Sequence, residues 1–199
     1  MSAQDSKLFV ISGPSGAGKG TLVTRVRERR SNLGLTVSAT TRAPRKGEVD
    51  GVNYFFLTRE EFDRRVANGE FVEWAEVHGN CYGTLVSEVT SKLASGASLI
   101  LEIDVQGALQ VKERFPEAVL IFIKPPSLEV LRERLVGRGT ETPETIELRM
   151  ANAADELALA ECLVNLKSLF EAECADFLLA LAVAVEACLL LDGVEDRQT

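Results

Sequence analysis

The chain has 199 residues, 46% of them hydrophobic and 26% charged, a composition typical of one compact domain or of a core with small inserted lobes. Its formal net charge of −8 argues against nucleic acid or an anionic membrane as the main partner, while leaving room for a local basic pocket for a small anion. Four cysteines without a CxxC pair and a single histidine leave zinc almost without ligands, and they favour reduced thiols in a cytoplasmic protein.

Three short apolar runs predict buried strands, each followed by a helix. The first run, residues 8–11, ends at a glycine-rich turn, and an amphipathic helix is expected at residues 19–30. The later strand and helix pairs are residues 99–103 with 108–114, and residues 119–123 with 128–136. Because buried strands that alternate with helices form parallel sheets covered on both faces, the pattern predicts an α/β fold with a three-layer α/β/α core.

The segment between the first two of these units reads differently. Its expected strands, residues 36–38, 54–57 and 71–74, are short and more polar, which predicts an inserted α+β lobe. A helix between the last two strands begins at Thr58, which forms a capping box with Glu61.

A polar loop near residue 138 leads into a further helix. Thr142 is its expected N-cap, and Pro143 occupies its first turn.

The turn after the first strand matches the phosphate-binding pattern GxxxxGK. Small residues let successive backbone N–H groups surround a phosphate, the helix that follows adds its positive end, and Lys19 adds a full charge. We therefore expect the phosphates of a nucleoside triphosphate to bind this loop, which consists of Gly13, Pro14, Ser15, Gly16, Ala17, Gly18, Lys19, Gly20 and Thr21.

The residue after the lysine departs from this pattern. Gly20 stands where a serine or threonine usually binds Mg²⁺, and Thr21 offers a hydroxyl one position later. The metal is therefore expected to be held mainly through water and nucleotide phosphates.

The inserted segment carries two arginines around a proline, Arg42 and Arg45. Guanidinium forks match a phosphate with two parallel hydrogen bonds, and Tyr54 and Tyr82 can add hydroxyl donors. The alternative is a pair of solvated surface arginines, which composition alone does not exclude.

Several motifs in one order carry a resemblance to the guanylate kinases over about residues 8–156. They read SGPSGAGKGT, SATTRAPRKGEVDGVNY, GEFVEWAEVHGNCYGT, LEIDVQG and RLVGRGTETPETIELRM. The resemblance implies an enzyme of purine nucleotide metabolism that transfers the γ-phosphate of ATP to GMP with Mg²⁺ as cofactor. It also implies a GMP-binding lobe at residues 35–85, a lid at 135–150, and a P-loop core formed by 1–34, 86–134 and 151–199.

Carried over residue by residue, the resemblance implies the following roles. The GMP phosphate contacts Arg42, Arg45, Tyr54 and Tyr82, and the guanine contacts Ser38, Glu73, Thr84 and Asp104. Arginines on the lid side, Arg134, Arg138 and Arg149, surround the ATP phosphates and the transferring phosphoryl, and Arg149 also meets GMP. The expected catalytic residues are Lys19, Arg42, Arg138 and Arg149. No residue is assigned as a direct metal ligand, and Glu102 or Asp104 is expected to bind Mg²⁺ through water.

The chemistry of guanine supports this assignment for Glu73. Guanine presents the N1–H and the N2 amino group on one edge, and a carboxylate can accept from both, whereas adenine would leave it unpaired. Without the resemblance, a solvent-facing strand residue is the better interpretation of Glu73. No general base is needed because the acceptor phosphate is already largely a dianion near neutral pH.

After about Glu156 the resemblance is expected to end. Only the three residues Leu163–Asn165 resemble the family strand expected here, a match too short to define it. The tail from Ala172 reads as one helix packed on the core, and the alternative is that a partner subunit covers its apolar residues. The apolar run at residues 177–191 is too short to span a bilayer. The alternatives are a family member with impaired catalysis, a kinase-like interaction module, or a kinase of another nucleoside monophosphate. The resemblance implies ATP and GMP as substrates, and neither nucleic acid nor a membrane is an expected partner. A monomer or a homodimer is the expected state.

Overall fold

The computed structural model describes residues 6–30, 32–77, 79–137, 139 and 142–163. Within this part the strands are β1 (Leu8–Ser12), β2 (Leu33–Leu35), β3 (Ala39–Thr40), β4 (Phe55–Phe56), β5 (Phe71–Val77), β6 (Asn80–Leu85), β7 (Ser98–Glu102) and β8 (Val119–Phe122). The helices are α1 (Lys19–Arg29), α2 (Arg59–Ala67), α3 (Val86–Ala94), α4 (Val105–Arg114), α5 (Leu128–Gly137) and α6 (Pro143–Leu163). None of these helices is both long and apolar enough to cross a membrane.

The three strands predicted as buried, β1, β7 and β8, form one sheet together with β2 in the order β2-β7-β1-β8, and β8 is only partly buried. All five residues of β1 and the first four of β7 are buried, as expected of strands covered on both faces. Strand β2 pairs with β7 in parallel, with Leu33 opposite Ser98. The α/β class with a parallel sheet is confirmed.

A second, mixed sheet follows the order β4-β3-β6-β5. Strand β3 pairs in parallel with β4 and antiparallel with β6, which is also antiparallel to β5. Phe62 of α2 stacks on Phe71 with ring centroids 4.3 Å apart, and Phe62 is fully buried. This small apolar cluster fixes α2 on the sheet, so the predicted α+β character of the segment is confirmed.

The expected strand at residues 36–38 is wrong. These residues connect β2 of the parallel sheet with β3 of the mixed sheet. The Thr36 N–H donates to the Ile100 carbonyl (3.4 Å), whereas the Ser38 carbonyl accepts from the Phe55 N–H (2.9 Å). The chain changes partners within this short stretch, so no continuous ladder forms. Sequence inspection also missed β2, β3, β6 and α3.

Both predicted helix caps are confirmed. The Thr58 hydroxyl accepts from the Glu61 N–H (3.1 Å), and the Thr142 hydroxyl accepts from the Thr145 N–H (3.3 Å).

The chain divides into two compact units, described separately here. The first unit comprises Met1–Val10 and Leu33–Leu120 and contains the mixed sheet. Its main apolar cluster is made of Leu8, Val10, Val72, Val89, Leu99, Leu101, Ala108, Val111 and Ala118. The second unit comprises Ile11–Asn32 and Ile121–Thr199, and contains the glycine-rich loop with α1, α5 and α6. The division into core, lobe and lid made from the sequence stays a prediction.

Candidate active site

The glycine-rich loop of the second unit runs from the end of β1 to the start of α1. Gly13 has φ +142°, and a Cβ atom there would lie 2.3 Å from the Ile123 carbonyl oxygen, so only glycine fits. Gly18 is the N-cap of α1 in the left-handed region, and no side chain of the described residues caps this helix end. A helix N-terminus that directly follows a glycine-rich turn favours an anion.

Lys19 folds back over this loop. Its Nζ donates to the carbonyl oxygens of Gly13 and of Pro14, the latter at 3.1 Å. The ammonium group thus lies against the backbone that would enclose a phosphate, which is the position that a P-loop lysine needs.

Two of the predicted arginines reach the loop within the second unit. Arg149 of α6 donates to the Ser15 Oγ (2.5 Å), and Arg134 of α5 donates to the Ala17 carbonyl (3.5 Å). The two helices share an apolar cluster of Leu131, Leu135, Ile146 and Ala153. The third predicted arginine, Arg138, lies outside the described residues.

A second cluster of predicted residues lies in the first unit around Arg42. Its Nη2 atom donates to both carboxylate oxygens of Glu48 (2.8 and 3.0 Å), and its Nη1 atom donates to the Ala43 carbonyl (2.7 Å). The guanidinium carbon lies 5.5 Å from the ring centroid of Tyr54, and the rings of Tyr54 and Tyr82 meet edge to face at 6.3 Å. The structure thus brings three of the predicted phosphate ligands together.

Glu48 is a residue of this cluster that sequence reasoning missed. Its hydrogen bonds with Arg42 raise the pKa of that guanidinium above its usual range, and Arg42 lowers the pKa of Glu48. Glu48 also accepts a hydrogen bond from the backbone N–H of Arg45 (2.7 Å). Arg45 itself is exposed. An acidic residue three positions after Arg45 was the signal available in the sequence.

Glu73 lies on β5, at an edge of the mixed sheet, and is 7% exposed. Burial raises the pKa of the Glu73 carboxyl to about 7; the nearby Asp104 charge acts in the same direction, and hydrogen bonding from Thr84 opposes it. The fully buried Thr84 hydroxyl favours the charged form of Glu73, but it completes no hydrogen bond of good geometry among the described residues. Half-buried Ser38 borders β3 of the same sheet.

Asp104 adds a second carboxyl group to this part of the first unit. It is the N-cap of α4, and its Oδ1 accepts from the Gly107 N–H (2.8 Å). A Cβ atom at Gly107 would lie 3.2 Å from the Glu73 Oε2 and 3.5 Å from the Asp104 Oδ1, so glycine lets the helix approach both carboxyl groups. Two carboxyl groups therefore lie close together here, and their oxygens can accept hydrogen bonds from a ligand edge with several N–H donors.

The described residues contain no group of three or more His, Cys, Asp or Glu that could hold a metal ion. Glu102 and Asp104 are both exposed, and one oxygen of Asp104 is already used by the helix cap. A metal held by a protein cage is therefore not a feature of this part of the chain.

These features define a P-loop nucleotide-binding protein. Its parallel sheet is packed with helices, and a loop between a strand and a helix can surround a phosphate. A lysine lies on that loop. Comparison with known proteins narrows the class. A family model described as guanylate kinase matches residues 5–176. The chain therefore belongs to the guanylate kinase family, whose members are ATP:GMP phosphotransferases, and the predicted enzyme class is confirmed.

Individual relatives agree with this assignment. A guanylate kinase of Gloeobacter violaceus is 51% identical over 192 residues, which cover 96% of this chain and 90% of the relative. One of Halalkalibacterium halodurans is 55% identical over 159 residues, which cover 80% of this chain and 78% of the relative. The crystal structure of guanylate kinase from Anaplasma phagocytophilum matches with a TM-score of 0.60 at 38% identity, covering 79% of this chain and 73% of that one.

The family match extends about twenty residues beyond Glu156, where the sequence resemblance was expected to end. Leu163 is the last residue of α6. The rest of the expected strand remnant, the tail helix from Ala172 and the apolar run at 177–191 lie outside the described residues.

Proposed function

We propose that this chain transfers the γ-phosphate of Mg-ATP to GMP by positioning the two nucleotides and neutralising charge, without a general base. The observation that carries the proposal is the buried Glu73 carboxyl beside Asp104, in the same unit as the Arg42 cluster. A neutral ligand edge with two N–H donors compensates a buried carboxylate that otherwise pays for desolvation. Guanine offers such an edge and adenine does not.

The guanine would therefore be read by Glu73 and Asp104, with the hydroxyls of Ser38 and Thr84 serving the remaining polar atoms. Thr84 supports this role because its hydroxyl is buried without a well-formed hydrogen bond among the described residues. A ligand group that completes this bond removes the cost of an unsatisfied buried hydroxyl. GMP binding would also hold Glu73 in its charged form, since two donors lower a carboxyl pKa.

The GMP phosphate would bind Arg42, Arg45, Tyr54 and Tyr82. Glu48 already holds the Arg42 guanidinium through two hydrogen bonds from its Nη2 atom. A preorganised fork binds a phosphate with less loss of side-chain freedom than a mobile one. Catalysis would then consist of bringing this phosphate into line with the γ-phosphate of ATP.

The ATP phosphates would bind the loop Gly13–Thr21, with Lys19, Arg134, Arg138 and Arg149 supplying positive charge. Arg149 and Arg134 support the assignment through their hydrogen bonds to the loop. In the proposed complex these side chains exchange loop partners for phosphate oxygens. The positive groups would stabilise charge that develops between the two nucleotides.

Mg²⁺ fits these residues as an ion bound mainly by nucleotide phosphates and water, because no described cluster offers a full set of protein ligands. The chemistry that Mg²⁺ would supply when bound is positive charge beside the nucleotide phosphates. Glu102 or Asp104 would order its water molecules, and the exposed Thr21 hydroxyl is a further candidate.

We also propose residues 35–85 as the GMP lobe, 135–150 as a lid, and the remaining segments as the P-loop core. The net charge of −8 supports ATP and GMP, rather than nucleic acid or an anionic membrane, as partners of the protein. Cys81 is buried as a free thiol, which supports a cytoplasmic location. A monomer or a homodimer is the proposed state.

The test is ADP formation from Mg-ATP with GMP, AMP, CMP and UMP, by wild type and Glu73→Gln. Turnover should be confined to GMP, and Glu73→Gln should lower kcat/KM for GMP by about 100-fold. Glu76→Gln is the matched control, because Glu76 lies on the same strand but is exposed and paired with Arg59. Equal turnover of GMP by wild type and Glu73→Gln, or turnover of another acceptor, would contradict the proposal.

A further inference from the structure

Strand β5 lies at an edge of the mixed sheet, and its outward backbone groups are bonded by side chains rather than by another described strand. The Trp74 N–H donates to the Gln110 Oε1 (3.2 Å), and the Gln110 Nε2 donates back to the Trp74 carbonyl (3.4 Å). One side-chain amide thus makes the pair of bonds that a neighbouring strand would make.

Arg114, one helical turn after Gln110, continues the same contact. Its Nη1 atom donates to the Phe71 carbonyl (3.1 Å), and its Nη2 atom donates to the Gly69 carbonyl (2.9 Å). Since residues four apart share one face of a helix, α4 presents both side chains to β5. That helix begins with its N-cap Asp104 and carries Gly107 in its first turn, and both residues lie next to the Glu73 carboxyl.

The two anchoring points flank a register shift. On β5, Phe71 pairs with Leu85 and Glu73 pairs with Thr84, so two residues of β5 advance against one residue of β6. Such a shift re-aims a side chain and leaves the ladder locally weaker. Arg114 holds the strand before the shift, and Gln110 holds it directly after Glu73.

We propose that Gln110, assisted by Arg114, is a positioning residue for guanine specificity. Its amide holds the shifted edge strand against α4, so that the Glu73 carboxylate stays beside Asp104. The inference rests on the proposed function, in which Glu73 accepts hydrogen bonds from guanine. Gln110 touches no nucleotide in this proposal and acts only through the placement of Glu73.

The test compares Gln110→Met, which keeps the length of the side chain but removes both hydrogen bonds, with Glu113→Met on the same helix. Glu113 is exposed and makes no hydrogen bond to β5 within the described structure. Steady-state constants are measured for ATP, for GMP and for IMP, whose base keeps the N1–H but lacks the N2 amino group. Gln110→Glu, which keeps only the acceptor for the Trp74 N–H, is a milder second variant.

Gln110→Met should raise KM for GMP about 10-fold, leave KM for ATP within about twofold, and lower the preference for GMP over IMP, because small misplacements of a recognition group are costly. Gln110→Glu should fall between wild type and Gln110→Met. In a Glu73→Gln background, Gln110→Met should cause no further loss, since it acts through the same carboxylate.

Unchanged constants in Gln110→Met and Gln110→Glu would overturn the inference. So would an equal loss for ATP and GMP in step with a lower Tm, because that is a purely structural effect. If Glu73→Gln itself leaves the preference for GMP intact, the proposed function fails first. If Glu73→Gln loses the preference for GMP but the Gln110 variants keep it, the proposed function stands and the positioning role of Gln110 is wrong.

Discussion

The buried carboxylate of Glu73 lowers the stability of the folded protein when no ligand is bound. The residue is 7% exposed, its carboxyl group lies near a second carboxyl group, and the pKa of Glu73 is raised to about 7 from an ordinary value of 4.5. Between these two pH values the folded state binds more protons than the unfolded state. Stability must therefore fall as pH rises through this window.

Glu73→Gln should remove this part of the pH dependence. At pH 5 both proteins hold a neutral side chain, whereas at pH 8 only wild type buries a charge. The variant, without substrates, should gain roughly 2–3 kcal/mol in free energy of unfolding relative to wild type between pH 5 and pH 8. Urea unfolding at both pH values measures this difference.

Glu76→Gln is the control for that measurement, because Glu76 is on the same strand and exposed. Its stability relative to wild type should change little between the two pH values. Parallel pH profiles of wild type and Glu73→Gln would show that the Glu73 carboxyl is not held in the expected environment.

The pair of Arg42 and Glu48 gives a second prediction for single residues. Glu48→Gln removes the charged partner that orients Arg42, while the positive charge of Arg42 remains. KM for GMP should rise about 10-fold with KM for ATP unchanged, because the guanidinium loses its preset orientation. Steady-state kinetics with both substrates provide the measurement.

Asp63→Asn is the matched variant for Glu48→Gln. It also removes an arginine's carboxylate partner in the same unit, but the Arg59–Asp63 pair is exposed. Its kinetics should equal those of wild type, since exposed ion pairs contribute little. A lower KM for GMP in Glu48→Gln would show instead that Glu48 competes with the phosphate.

At the scale of elements, the connection from β1 to α1 depends on backbone conformation more than on side chains. Gly13→Ala should cost about 3 kcal/mol or more, because its Cβ atom would lie 2.3 Å from the Ile123 carbonyl oxygen at φ +142°. Urea unfolding gives the loss of stability, and KM for ATP should rise as well.

Gly69→Ala is the control that separates the cost of a positive φ from the cost of a steric clash. Gly69 has φ +67°, yet a Cβ atom there would meet nothing within 4 Å, so the expected cost is about 1 kcal/mol. Equal losses in Gly13→Ala and Gly69→Ala would mean that the contact with Ile123 is not what restricts position 13.

For the whole molecule, the division into two units predicts separate responses to the two nucleotides. GMP should slow hydrogen exchange at backbone amides of β5 and β6, which carry Glu73 and Thr84 in the first unit. A non-hydrolysable ATP analogue should slow exchange at residues 13–21 in the second unit. Ligands that bind only the native state suppress local opening around their contacts.

Mass spectrometry of peptides from each unit measures this exchange. Protection of β5 and β6 by the ATP analogue alone, or of residues 13–21 by GMP alone, would contradict the assignment of the two nucleotide sites. If a nucleotide at saturating concentration leaves hydrogen exchange in both regions unchanged, that result would also contradict the site assigned to that nucleotide.

Local chemistry explains what could be predicted. The strands β1, β7 and β8 follow from continuous apolar runs, and the caps Thr58 and Thr142 follow from hydroxyl side chains before helical patterns. The phosphate-binding loop follows from glycine spacing between a strand and a helix. Strand β6 was missed because its residues, NCYGTL, carry a weak strand signal and depend on pairing with β3 and β5.

The sequence by itself determined the class of fold, the loop with Lys19, the arginine pair and, through its motifs, the family. All of these depend on residues close together in the chain, where spacing and residue type decide the outcome. Only the tertiary structure decided that Arg149 reaches Ser15, that Glu73 is buried beside Asp104, and that residues 33–40 divide between two sheets. Burial and contacts between distant residues are set by how the elements pack, which local propensity does not specify.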